Sequence, residues 1–187
     1  MSATSTTNPQ VVLPFDLYAG RFFLISWVLL FLNSADLLQH YFQPKTLAIV
    51  HSMALGWGTM MILGASHQLL PVLVENKLYS ETLAGISFFL ASAGIPFLVY
   101  GFFVFDMGLI TQVGALAIIA AIICYLINCA MSMIKSKQEN VHAVFIFTAT
   151  LWLLATVVVG YLLLLNFTTT IFTQSSLHYL SLHAHMG

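Results

Sequence analysis

Long apolar runs alternate with short polar breaks along the whole chain. Five runs, at about 17–38, 47–73, 83–105, 108–134 and 142–166, are separated by Gln39 to Lys45, Glu75 to Glu81, Asp106 to Gly108 and Lys135 to Asn140. A hydrocarbon core of about 30 Å needs roughly 20 apolar residues in a helix, so each run is long enough to cross it. Pro71 falls in the last turn of the second run, and Pro96 lies inside the third, where it predicts a kink. No soluble segment of any length intervenes. The pattern predicts an all-α integral membrane protein, with residues 1–187 forming one bundle of five transmembrane helices.

Composition agrees. The chain is 60% hydrophobic and only 6% charged, with a mean hydropathy of +0.96, whereas soluble domains carry about 25% charged residues. The formal net charge of -1 says nothing about partners, and with no basic surface to neutralise phosphates nucleic acid is excluded. The start, MSATSTTNPQ, lacks the basic region of a cleavable signal peptide, so the first apolar run is expected to stay as a span. Cys124 and Cys129, inside one apolar run, read as small buried apolar residues rather than as a disulfide or zinc pair.

Basic residues set the expected orientation. Arg21, Lys77, Lys135 and Lys137 fall on the N-terminal side of the predicted bundle and only Lys45 on the other. Four against one places the N-terminus in the cytoplasm by the positive-inside rule. Five of the seven histidines then gather at the outer face: His40, His51, His178, His183 and His185. His67 and His142 lie toward the cytoplasm.

The second run carries the most chemistry. From Thr46 to Leu73 it holds His51 and His67 and no Asp, Glu, Lys or Arg. Ionisable side chains inside a bilayer are costly and mark functional sites by default. A neutral imidazole avoids the charging cost, and it is the form that heme iron or copper binds. Ala54, Gly56, Gly58, Gly64 and Ala65 follow His51, a row of small residues that lets a flat group or another helix approach. His51 and His67 are about 24 Å apart on nearly opposite faces of an ideal helix, so they do not share an ion. His67 is read as a polar contact between helices, Asp36 as a helix-end carboxylate four residues before His40, and Phe102, Phe103 and Phe105 as an interfacial belt. Trp27, Trp57 and Trp152 are read as facing lipid or a neighbouring helix.

The chain closes on LHYLSLHAHMG, whose His-Ala-His-Met-Gly is similar to the start of the second span and reads as the opening of a sixth helix. That ending points to the N-terminal portion of a longer fold. Taken with it, HSMALGWGTMMILGASHQLLP, from His51 to Pro71, resembles the second transmembrane helix of catalytic subunit I in the heme–copper oxidase superfamily. The match is to the branch of nitric oxide reductases and high-affinity cytochrome c oxidases. The resemblance implies that His51 is an axial ligand of heme b. It also implies that the tail histidines, His185 ahead of His183, belong to a copper or non-heme iron site completed only by helices absent here. Further implications are respiratory electron transfer to oxygen or nitric oxide, a cytochrome c donor, further oxidase subunits and a lipid environment. His67 departs from the family, which more often has an aromatic residue there. With about twelve helices in the family's subunit, these 187 residues alone are expected to lack turnover.

Two other classes compete on the same residues. One is a non-enzymatic heme- or copper-handling or nitric-oxide-response membrane protein. The other is a cofactor-free membrane subunit in which histidines only bridge helices, each such bond contributing about 0.6 to 2 kcal/mol. A transporter fits less well, since Asp36 is the only carboxylate placed near a span interior.

Overall fold

A computed structural model describes residues 7–136 and 140–187. Five helices in it are long and apolar enough to cross a membrane: α1 (Pro9–Leu32), α2 (Pro44–Leu73), α3 (Glu81–Val104), α4 (Leu109–Ile134) and α5 (Val141–Leu165). A shorter helix, α6 (Ser176–Met186), follows. Consecutive helices are neighbours, and the lower part of α2 also reaches α4 and α5. Among the described residues there is no strand.

Local chemistry sets the helix ends. Asn8 Oδ1 accepts from Gln10 N at 3.0 Å, Ser80 Oγ from Leu83 N at 3.1 Å and Asn140 Oδ1 from His142 N at 2.8 Å. Each satisfies an amide that the helix itself leaves without a partner. Pro9 and Pro44 occupy first-turn positions, where a missing N–H costs nothing. These signals correct the first predicted span. Rather than running 17–38, α1 starts at Pro9 and stops at Leu32. Asn33 closes it by donating Nδ2 to Leu29 O at 2.8 Å, and the chain then tightens into a 3-10 turn over Ser34–Leu38. The other four helices lie within three residues of their predicted limits. Pro96 sits inside an unbroken α3.

That shift moves Arg21. It stands near the middle of α1, exposed, rather than at the end of the bundle. Lys137 lies outside the described residues. Lys77 and Lys135 do share one end: Asn76 Nδ2 donates to Lys135 O at 2.9 Å, and Lys135 Nζ stands 4.4 Å over the Tyr79 ring. At the opposite end Lys45 pairs with Asp36 at 2.9 Å. Asp36 therefore answers Lys45 and not His40, which lies beyond the end of the 3-10 turn.

α2 is not a uniform helix. Directly after His51 the backbone becomes π-helical over Ser52–Thr59, with Thr59 Oγ1 donating to Ala54 O at 2.9 Å. A π stretch turns more slowly than an α-helix and so re-aims what precedes it. The part before it packs on α3, while the π stretch packs on α1. Gly56 is what lets α1 in: a Cβ there would run into the Phe22 ring. Beside it Ser26 and Ser52, both fully buried, join hydroxyls at 2.6 Å.

Candidate metal centre

His51 closes the α-helical opening of α2, just before the π stretch. Its Nδ1 lies 2.8 Å from Leu47 O. A carbonyl only accepts, so Nδ1 carries the proton and Nε2 presents a lone pair, the form a metal binds. This bond alone singles out nothing. His67 makes it to Leu63 O at 2.8 Å and His185 to Ser181 O at 2.7 Å. What distinguishes His51 is its surroundings. The Phe102 ring lies 4.4 Å from it at 44°, and the His183 ring lies 6.4 Å away, within 13° of parallel.

His183 reaches that position because α6 turns back along α5. Ser176 Oγ donates to Leu163 O at 2.9 Å, and Asn166 Oδ1 accepts from the amides of Ile171 and Phe172 at 2.9 and 2.8 Å, fixing the turn. At the far end Met186 O accepts from Trp152 Nε1 at 2.9 Å and from Thr156 Oγ1 at 3.1 Å. Between these anchors His183 lies on Gly160, its Cε1 2.8 Å from where a Cβ would stand. Only glycine leaves that space. The His183 Nδ1 is buried without a hydrogen-bond partner, and burial holds the ring's pKa below the ordinary histidine value, with the Thr156 carbonyl pulling the other way.

The remaining histidines stand apart. His185, which the sequence favoured over His183, is exposed, as are His40, His142 and His178. On α6 the two positions are two residues apart, about 200° around the axis, and docking on α5 turns His183 inward. His67 is fully buried between Phe15 (5.2 Å) and Tyr125 (4.8 Å), well away from the His51 pair. Among the described residues no three His, Cys, Asp or Glu side chains converge as a metal site. Cys124 and Cys129 are free thiols.

The row of small residues divides. Gly56 is filled by Phe22, and Gly64 by Asp16 and Phe15, so these two serve helix packing. Ala54 and Ala65 are exposed, and Gly58 has only Met53 O within 4 Å. Phe102, assigned to an interfacial belt with Phe103 and Phe105, instead packs on His51. Phe105 joins Phe42 and Phe167. Nothing in the sequence marks Phe102 or Gly160 as neighbours of a histidine pair, because both arrive through helix docking. No family model, curated protein or solved structure matches the chain.

Proposed function

We propose that this chain is a heme-binding membrane redox protein of the kind its second span resembles, subunit I of the heme–copper oxidases, with His51 as an iron ligand. One observation carries the reading: His51 and His183 face each other as two imidazoles inside an apolar bundle, 6.4 Å apart. His51 Nε2, with the proton held on Nδ1, would be the donor to the metal, and the neighbouring His183 imidazole would be available to the same group. The donor chemistry suits heme b iron, and a bare copper ion as well.

Heme, when bound, supplies one-electron transfer. The chain's own residues do the rest. Leu47 O fixes the His51 tautomer, Phe102 shields the ring from water, and Gly160 seats His183. Lys77 and Lys135 support a cytoplasmic end with the His51 pair toward the outer leaflet of a bacterial inner membrane. Cytochrome c and further oxidase subunits are the partners this role implies. Oxygen or nitric oxide turnover needs a second metal beside the heme, so these residues alone are expected to be inactive.

A second reading, a cofactor-free membrane subunit, draws on the filled positions at Gly56 and Gly64 and on histidines already bonded to their own helices. The reduced-minus-oxidised spectrum of the protein purified from heme-replete membranes separates the two. A sharp low-spin band at near-stoichiometric heme supports the first, and a heme-free protein that is monodisperse supports the second.

A further inference from the structure

His67 and Tyr125 form a second polar locus that the His51 pair does not use. Both are almost completely buried, and their rings meet edge to face at 4.8 Å. His67 Nδ1 is spent on Leu63 O at 2.8 Å, so Nε2 points away from α2 into the bundle as an acceptor. That Nε2 and the Tyr125 Oη are both buried without a hydrogen-bond partner. Leaving either so is costly, and two such atoms on touching rings point to a shared partner.

Two more oxygens adjoin them. The hydroxyls of Ser66 on α2 and Thr150 on α5 lie beside the Tyr125 Oη, outside hydrogen-bond geometry with it. Each already donates to its own helix, Ser66 to Ile62 O at 2.6 Å and Thr150 to Ile146 O at 2.8 Å. Each therefore has lone pairs left to offer. Phe15 closes the other side of the His67 ring at 5.2 Å.

We propose that this locus binds one internal water. The water accepts from Tyr125 Oη–H and donates one proton to His67 Nε2. Its second proton goes to the Thr150 or Ser66 oxygen. Three polar partners, from α2, α4 and either α5 or α2 again, match what buried waters take in proteins. The site draws on side chains of α2, α4 and, through Thr150, α5. It stands independently of any heme at His51.

The test uses the full chain in nanodiscs. The infrared difference spectrum, wild type minus Tyr125→Phe, is expected to contain an O–H stretch that moves when solvent water carries heavy oxygen. A tyrosine hydroxyl does not exchange its oxygen, so only a bound water gives that shift. His67→Phe is expected to remove the same band, and Tyr125→Phe to lower Tm in the wild-type background but not in His67→Phe. Should Tyr125→Phe fail to accumulate, the difference spectrum of wild type minus His67→Phe is expected to contain the same isotope-sensitive band. The proposal is overturned if no isotope-sensitive band is present, or if Tyr125→Phe raises Tm by removing a hydroxyl that had no partner.

Discussion

His183 rests the Cε1 edge of its ring on Gly160, and in that seat it lies 6.4 Å from His51. A helix of 11 residues thus delivers one histidine into the bundle while its neighbour two positions on stays exposed. The seat depends on the absence of one side chain.

Gly160→Val tests that dependence. A side chain at 160 collides with the imidazole, and overpacking of this kind costs about 1–3 kcal/mol. We expect α6 to lift from α5 while α1 to α5 stay assembled. Hydrogen exchange should then be faster over residues 176–186 and unchanged in α1 to α5.

Docking of α6 should also weaken in acid. Burial holds the docked His183 below the ordinary value of 6.5, so the detached helix takes up a proton first. Stability is therefore fully present above about pH 6.5 and falls as pH drops toward the docked value. Protease protection of the tail measured against pH should follow that sign, and His183→Gln should flatten the profile.

Gly56→Val is expected to separate α1 from α2, because the added carbons occupy the position of the Phe22 ring. Two helices cannot both keep their backbone there. Loss of folded protein from the membrane fraction, against near-normal yield for Gly58→Ala, would check it. Gly58 has only Met53 O, at 3.5 Å, within reach.

These residues show what the sequence conveys and where it stops. Hydropathy places four of the long apolar helices to within three residues, since an apolar run of that length has few other uses. The first helix departs from its apolar run because Asn8, Pro9 and Asn33 set its limits by capping, which hydropathy does not weigh. His51 was legible as an unusual residue in an apolar helix. The nearness of His183 was not: similarity to the His51 segment pointed to His185, while docking of α6 on α5 decides which face turns inward. The π stretch after His51 left no clearer trace than two glycines and a threonine. Phe102 and Gly160 carry no local signal at all, because their role exists only between helices.

The most direct measurement compares heme retention and the reduced low-spin band in His51→Ala, His183→Ala and His185→Ala, each purified from the same heme-replete membranes. His51→Ala is expected to abolish the band, His183→Ala to broaden or shift it, and His185→Ala to leave it intact. Full heme content with an unchanged spectrum in His51→Ala would contradict the assignment of His51 as a ligand.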